Sequence, residues 1–471
     1  MSAWRWTAAR VEEALGTGPR GAAPDAFSAV STDTRSLPAG ALFVALRGER
    51  FDGHEHLGAA AEAGAAGAVV ARVPAGAPDS LAYYVVADTL HALGDLARHR
   101  RRALSGRVVA VAGSNGKTTT KELLRAALSG TLRVHATEAN LNNQVGVPLT
   151  LLAAPDDAEA IIVETGTNVP GEIALLSRIV EPDAALVTSI GEEHLEGLGS
   201  LEGVLEEELA VFDALAEDGV ALVADDPAGL VEGARRRVGA ARVRVAGLST
   251  AAGLRPEDGR EGVRLRPDGS TEWRFRGVDV RVPLPGIHNV RNALLALGVA
   301  IEWDVPLEAA ARGLAAMPQP KMRNEWRRVG TVGVLADCYN ANPPSMRAAL
   351  DLLAELPSEG ARIAVIGTMR ELGGEAERYH RELAEHAVAL LGRGIDRLVA
   401  TGEFVAPLRE MGTDGRVVAE EDPLEAYEAL RPALQGGETI LLKGSRGVAL
   451  ERWIPLLERD FAAGPAASTE S

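Results

Sequence analysis

From residue 107 onward the chain alternates between short, near-continuous apolar runs and helix-length amphipathic stretches. Residues 107–112, 160–163, 184–188 and 220–224 are such runs, which predicts strands buried on both faces of a parallel sheet with crossover helices. Residues 119–128 read as the first of those helices. A second series begins near Gln319, with Pro318 and Pro320 punctuating the join. Its predicted strands are 333–336, 362–366, 397–400 and 439–442, and its predicted helices are 345–356, 375–391 and 448–460. The first hundred residues differ in texture. Strand-like runs at 41–46, 68–71 and 83–86 lie among Ala-rich helical stretches, and over residues 1–104 charges balance at 11 basic against 11 acidic. An arginine cluster at 98–102 is placed at a helix end beside a linker. The small, polar stretch 462–471 is expected to fray. The pattern predicts an α/β protein of three domains: a small N-terminal one at 1–104, a central one at 105–318 and a C-terminal one at 319–471. A length of 471 residues agrees, at ~150 residues per domain.

Composition narrows the class. With 46% hydrophobic and 24% charged residues the chain can bury several cores. The 49 basic and 66 acidic residues leave a net charge of −17, which argues against a nucleic-acid-binding face. No run approaches the ~20 apolar residues of a membrane span, and residues 1–10 lack the apolar region of a secretory signal. A lone cysteine, Cys338, excludes an intrachain disulfide framework. A cytoplasmic enzyme, working as a monomer, is expected. Only four lysines occur (Lys117, Lys121, Lys321, Lys443), so an Arg-biased chain that keeps a lysine points to a need for a compact ammonium.

The strongest local signal is Val111-Ala112-Gly113-Ser114-Asn115-Gly116-Lys117-Thr118-Thr119. A strand feeds a glycine turn, and Lys-Thr-Thr opens a helix. Such a turn aims backbone N–H groups and a helix N-terminus at phosphate oxygens. Lys117 would reach the β/γ-phosphates and the Thr118 hydroxyl would sit on Mg²⁺. Val111 stands where the general phosphate-loop pattern has its first glycine. A plain strand–helix turn with an exposed lysine is the alternative. The loop by itself indicates a nucleotide, not a reaction.

The shorter Gly-Ser-Asn-Gly-Lys-Thr-Thr form resembles the Mur ligase superfamily. Further blocks carry the likeness, in family order, across nearly the whole chain. They are Ser-Thr-Asp-Thr-Arg at 31–35, Leu-Phe-Val-Ala-Leu at 42–46, Phe-Asp-Gly-His at 51–54 and Asn-Leu-Asn-Asn-Gln-Val-Gly-Val-Pro at 140–148. Glu-Thr-Gly at 164–166, His-Leu-Glu at 194–196 and Gly-Ile-His-Asn-Val-Arg-Asn-Ala at 286–293 follow. Asp-Cys-Tyr-Asn-Ala-Asn-Pro at 337–343 and Lys-Gly-Ser-Arg at 443–446 are similar to the branch that adds D-Ala-D-Ala. The resemblance implies a central phosphate-loop ATPase domain, a Rossmann-like C-terminal domain and an N-terminal domain that holds a UDP-linked substrate. It implies ATP-dependent amide ligation: ATP phosphorylates the carboxylate of a UDP-N-acetylmuramoyl-tripeptide, and the amine of D-Ala-D-Ala attacks the acyl phosphate. ATP and Mg²⁺ are the implied cofactors. A ligase with another acceptor, a folylpolyglutamate-synthetase-like enzyme and a nucleotide-binding protein without ligase activity are the alternatives.

Individual residues follow from the same match. Glu164 ends a strand, where ligands gather in a parallel sheet, and is assigned to Mg²⁺; a capping or solvated carboxylate is the plainer reading. His194 is implied to bind a second Mg²⁺ or to orient the acyl phosphate. Asn289 and Asn292 could read an adenine edge with amides that donate and accept, or Asn289 could cap a helix. Arg323 matches an ATP-contacting arginine, with a solvated basic turn as the rival. Asp337 would accept from a ribose hydroxyl or contact metal through water. Tyr339, Asn340 and Asn342 form a loop that the match gives to the dipeptide side, although asparagines are ordinary turn residues. Lys443 would bind a peptide carboxylate or stand exposed. Thr32, Thr34 and Arg35 match the uridine-nucleotide segment, and Asn142 and Asn143 a loop near the sugar-phosphate.

One departure stands out. The family's carbamylated lysine, whose carboxylate holds the second metal, falls in register on Glu208, and no lysine lies between 122 and 320. Glu208 is therefore expected to supply a carboxylate directly, unless residues 206–208 form a solvated helix face. Ser189 stands where an asparagine is usual, Val223 precedes Ala-Asp-Asp-Pro, and Thr368 stands where an aspartate is common.

Overall fold

The computed structural model describes residues 4–412 and 415–461. The terminal stretch 462–471 expected to fray lies outside the described residues. Among those described, strands form three principal sheets, each drawn from one stretch of chain.

The N-terminal sheet has five strands, with Leu42–Val44, Gly67–Val70 and Ala82–Val85 at its centre. These are parallel, and Pro19–Arg20 closes one edge antiparallel to Ala82–Val85. Leu42, Val44 and Val69 pack on one face with Trp6 and Phe27, while Phe43, Ala68 and Val70 pack on the other with Leu57. The period of two in a strand separates these sets. The helix Thr89–Ala103 leads out, N-capped by Asp88, which accepts from the backbone N–H groups of Leu90 and His91. Its arginines dock on the next domain. Arg101 donates to the carbonyls of Val180 and Glu181 and to Asp183, and buried Arg100 donates to the Ala154 carbonyl and to Asp156.

The central sheet is six-stranded and wholly parallel. Its order is Val243–Ala246, Val220–Ala224, Ala184–Val187, Arg107–Ala112, Ala160–Glu164, Val134–Ala136. Arg107–Ala112 therefore sits in the middle, with crossovers to either side, and the crevice at its carboxyl end is a topological switch point. Helices cover both faces, and the apolar side chains of the central strands are fully buried. A three-stranded antiparallel sheet, Arg264–Leu265, Thr271–Phe275 and Val278–Val282, was not among the expected elements.

The C-terminal sheet runs Glu325–Val329, Val332–Asp337, Thr439–Lys443, Arg362–Ile366, Arg397–Ala400, Val417–Ala419. Its first strand is antiparallel and the rest are parallel. The helix expected over 448–460 begins only at Trp453. Two short 3₁₀ turns precede it, because Ala449 adopts a left-handed φ of 59°. No helix of the described residues is long and apolar enough to cross a membrane.

Candidate active site

The carboxyl ends of the central and C-terminal sheets face one cleft of about 550 Å³. Its floor is the turn between Arg107–Ala112 and the helix Lys117–Ser129. Gly113 has a φ of 122° and Gly116 of 86°, values that side chains rarely tolerate. A Cβ on Gly113 would lie 2.3 Å from Thr188 Oγ1 and 2.7 Å from the Thr188 nitrogen; one on Gly116 would lie 2.8 Å from Asn292 Nδ2. The adjoining strand end clamps the turn: the Ser114 N–H donates to the Ser189 carbonyl and the Asn115 N–H to Ser189 Oγ, both at 2.9 Å. Ser189, the departure from the expected asparagine, thus accepts a backbone bond of the loop. Thr119, also predicted to bind nucleotide, lies in the first helical turn and lines the cleft.

Lys117 Nζ donates to the Gly113 carbonyl at 2.5 Å and lies 3.5 Å from Glu193 Oε1. Burial pulls its ammonium down, but the carboxylates of Glu193, Glu208 and Glu164 outweigh this and leave its pKa raised. The lysine stays charged.

Glu164 closes its strand as expected and is 2% exposed. Its Oε1 accepts from Thr118 Oγ1 at 3.1 Å and from Asn142 Nδ2 at 2.9 Å. Its Oε2 finds no hydrogen-bond partner among the described residues; the buried Lys121 ammonium is 3.8 Å away. A hydroxyl beside a buried carboxylate with an unfilled oxygen suits a hard divalent cation. Among the described residues no three His, Cys, Asp or Glu side chains converge on a metal position. Ligands from outside the protein, such as phosphate oxygens, would have to complete the shell. Asn143 also lines the cleft, and its Oδ1 accepts from the Val145 and Gly146 N–H groups.

His194, in a left-handed conformation with φ 49°, lines the cleft. Its Nδ1 pairs across the domain boundary with Glu371 Oε2 at 2.9 Å, and that bond, ahead of the opposing effect of burial, raises its pKa. The acidic run 206–208 has three separate fates. Glu206 pairs with Arg237 at 2.8 Å. Glu207 accepts from the Gly171 and Ile173 N–H groups at the start of the helix Glu172–Val180. Glu208, fully buried, accepts from the Gly113 N–H at 2.7 Å. Burial pushes its carboxyl up to about 7, with Lys117 opposing and Glu193 reinforcing. The solvated-face alternative fails for Glu207 and Glu208, and Glu208 is not among the residues lining the cleft.

The remaining wall comes from two domains. Asn289 Nδ2 donates to the Pro285 carbonyl at 2.8 Å, and Asn292 packs on Gly116. Between them and the C-terminal domain stands His288, whose Nε2 faces Asn324 Nδ2 at 2.9 Å and Asn289 Nδ2 at 3.2 Å. Burial, ahead of the opposing pull of Asp337, lowers its pKa to about 4. The ring is neutral and accepts at Nε2. Arg323 lies between two left-handed residues, Met322 and Asn324, and stacks over Tyr339 at 4.1 Å, with Arg446 over the same ring at 5.4 Å. Asp337 Oδ1 accepts from the Asn324 N–H at 3.2 Å. Its Oδ2 lies 2.9 Å from Lys443 Nζ, which also donates to the Asn340 carbonyl at 2.7 Å. Lys443 is buried rather than exposed. Asn342 caps the helix Pro343–Glu355, and its amide also donates to Asn115 Oδ1 at 2.9 Å, tying this loop to the phosphate loop.

Most of the predicted residues therefore meet in one place. Gly113, Glu208 and Asn342 stand just behind the lining. Thr32, Thr34 and Arg35 do not join the cleft; they follow the strand Val30–Ser31 in the N-terminal domain, where Arg35 is bound to Asp33 at 2.6 Å. Sequence reasoning missed Glu193, His288, Asn324 and Glu371. His288 and Glu193 adjoin residues that were singled out. Asn324 likewise follows Arg323, whereas Glu371 carries no sequence signal, since its partner His194 is on another domain.

Family models agree with this layout. The Mur ligase middle domain matches residues 111–300, the Mur ligase glutamate ligase domain residues 322–446, and the Mur ligase family catalytic domain residues 26–101. A UDP-N-acetylmuramoyl-tripeptide–D-alanyl-D-alanine ligase of Bacillus subtilis is 37% identical over 90% of this chain and 91% of its own length. The crystal structure of MurF from Acinetobacter baumannii superposes with a TM-score of 0.86 at 30% identity, covering 98% of this chain and 100% of that one. MurF ligase from Thermotoga maritima, solved in complex with ADP, gives 0.79 at 26% identity over 92% and 97%. Sequence likeness over nine-tenths of the length, on the same three-sheet frame, leaves one placement: the chain belongs to the Mur ligase family.

Proposed function

We propose that this protein is an ATP-dependent ligase that joins D-Ala-D-Ala to UDP-N-acetylmuramoyl-tripeptide, forming the pentapeptide precursor of peptidoglycan. One observation carries the reading. The phosphate loop and the 337–343 loop face the same cleft and are bonded to each other through Asn342 and Asn115. A phosphorylated carboxylate formed at the first would lie beside an amine held at the second.

The three domains take the division 1–104, 105–318 and 319–471, supported by one principal sheet in each. The N-terminal domain holds the UDP-sugar, with Thr32, Thr34 and Arg35 toward the uridine nucleotide. Backbone N–H groups of 113–119 and the start of the Lys117–Ser129 helix bind the β/γ-phosphates. Lys117 holds a compact positive charge there, and Arg323, steadied on Tyr339, neutralises phosphate from the other side. Asn289 and Asn292 contact the base, and Asp337 the ribose, since each of its oxygens keeps a further lone pair. Asn142 orients Glu164 and, with Asn143, borders the sugar-phosphate. Tyr339, Asn340 and Asn342 shape the dipeptide side. The Lys443 ammonium has two of its three N–H bonds engaged, by the Asn340 carbonyl and Asp337, and one left for a peptide carboxylate.

Thr118 and Glu164 are the residues best fitted to hold Mg²⁺, with His194 next to them. When bound, the ion neutralises charge on the phosphates and on the developing acyl phosphate. Glu208 acts on the Gly113 N–H behind the loop. ATP as substrate implies the cytoplasm, and a cleft built wholly within one chain lets a monomer suffice.

The test is phosphate release from ATP by purified protein given UDP-N-acetylmuramoyl-tripeptide, with and without D-Ala-D-Ala, the product weighed by mass spectrometry. Release that needs both substrates, with the pentapeptide formed, is expected. Release with other acceptors only, or ATP binding with no release, would overturn the assignment.

A further inference from the structure

We propose that Glu193 donates a carboxylate oxygen to the divalent cation that accompanies the nucleotide, so that the cation is held by Thr118, Glu164 and Glu193 together with phosphate oxygens. The inference rests on the ATP-using reading above.

Three buried carboxylates surround Lys117: Glu164 is 2% exposed, Glu193 6% and Glu208 0%. Each leaves one oxygen, Oε2, Oε1 and Oε1 respectively, with no hydrogen-bond partner among the described residues. Buried polar atoms are normally satisfied, and buried charges are normally paired. Lys117 faces all three, and Lys121 is near Glu164 alone. His194 adds charge beside Glu193, yet none of these cations donates a hydrogen bond to the three open oxygens, and a divalent ion would fill those that face the cleft.

Geometry separates the three acids. Glu208 has one oxygen fixed on the Gly113 N–H and does not line the cleft, whereas Glu164 and Glu193 do. Glu193 is also anchored to the phosphate loop. Two residues earlier, the Gly191 N–H donates to Ser114 Oγ at 2.9 Å, and Ser114 Oγ donates to the Gly191 carbonyl at 3.2 Å. This holds Glu193 Oε1 3.5 Å from Lys117 Nζ. A phosphate that draws Lys117 toward itself takes away the partner of Glu193, and the cation takes its place. Mg²⁺ is commonly bound through one or two carboxylates plus substrate phosphates, which is the set offered here.

The rival is that Glu193 only guards Lys117. The two roles predict opposite responses to metal. Binding of the ATP analogue AMP-PNP is measured by calorimetry on the full-length protein, in EDTA and in excess Mg²⁺, for wild type and Glu193→Gln. The expected result is that the gain in affinity on adding Mg²⁺ shrinks by about tenfold or more in Glu193→Gln. Metal-free binding should stay equal or tighten, since the lysine loses a competitor. Mn²⁺ affinity of the AMP-PNP complex, read by electron paramagnetic resonance, should fall in parallel. An unchanged gain on adding Mg²⁺, or the same loss with and without metal, would overturn the proposal. Wild type that binds no AMP-PNP would overturn the ATP reading itself, a distinguishable failure. If Glu193→Gln does not fold, Glu193→Asp decides: a smaller gain on adding Mg²⁺ at unchanged metal-free affinity supports the role, and an unchanged gain refutes it.

Discussion

Lys443→Met should destabilise the C-terminal domain, and the loss should be relieved by Asp337→Asn. Residues 337 and 443 are register partners on adjacent parallel strands. Their side chains are 13% and 2% exposed, and Nζ lies 2.9 Å from Oδ2. Removing the ammonium leaves the carboxylate with the Asn324 N–H, which donates to Oδ1 at 3.2 Å, and takes the donor from the Asn340 carbonyl. Breaking one partner of a buried ion pair costs about 3–5 kcal/mol, because the survivor stays buried and uncompensated. Replacing both charges removes most of that penalty. The coupling between the two sites should therefore reach about 2–3 kcal/mol, toward the upper end for residues in contact. Urea unfolding followed by the fluorescence of Trp326 and Trp453, both in this domain, reads it through four proteins: wild type, two singles and the double. Dipeptide KM measured on the same proteins shows whether the remaining Lys443 proton reaches substrate. A Lys443→Met protein as stable as wild type, or a coupling below about 0.5 kcal/mol, would refute the claim that the pair holds these strand ends together.

Three further outcomes are expected. Gly113→Ala should abolish AMP-PNP binding and lose about 1–3 kcal/mol of stability, since its methyl would press on the Thr188 backbone at a φ of 122°; calorimetry and urea melts check this. His288 has a folded pKa near 4, below the 6.5 of a free imidazole, so the folded state binds fewer protons than the unfolded chain between those values. Stability should fall as pH drops from 6.5 to 4, by up to about 3 kcal/mol, and Glu or Asp titration aside, His288→Gln should flatten that slope in urea melts. Cys338, 1% exposed and with its thiol pushed up to about 12 by burial, should resist a thiol reagent in the native protein and react fully in denaturant.

What was legible in the sequence was what neighbouring residues decide. The strand, the two glycines and the Lys-Thr-Thr helix start lie within a dozen residues, so the phosphate loop could be read whole. The antiparallel sheet was also written locally and still went unread. Trp273 and Phe275, and across from them Val280 and Val282, are buried, while Glu272, Arg274, Asp279 and Arg281 alternate outward around the Arg276-Gly277 turn. A search for apolar runs passes over a strand whose pattern is alternation. The acidic run was illegible for a different reason. Successive helical residues point about 100° apart, so Glu206, Glu207 and Glu208 meet a surface arginine, a helix N-terminus and the phosphate loop. Treating them as one face, or as one ligand, could not give three answers.

The contacts that join domains explain why the loop is more than a nucleotide cradle. Glu208 fixes its first N–H, Ser189 its next two residues, and Asn342 its asparagine side chain. The last belongs to the other domain and caps the helix Pro343–Glu355. Beside it, Pro344 packs so closely on Gly191 that a Cβ there would come within 2.6 Å of the proline ring. Gly191 is in turn bonded to Ser114 of the same loop. A shift of the phosphate loop therefore moves the start of a C-terminal helix directly, through one amide and one packed ring. With His194 and Glu371 forming a second bridge, nucleotide geometry and the angle between the two domains are set by the same few atoms. Asn342→Ala, which removes the amide, should accordingly weaken the coupling between nucleotide and dipeptide binding more than it weakens either alone. Equal affinities for the dipeptide with and without AMP-PNP in wild type would contradict that account.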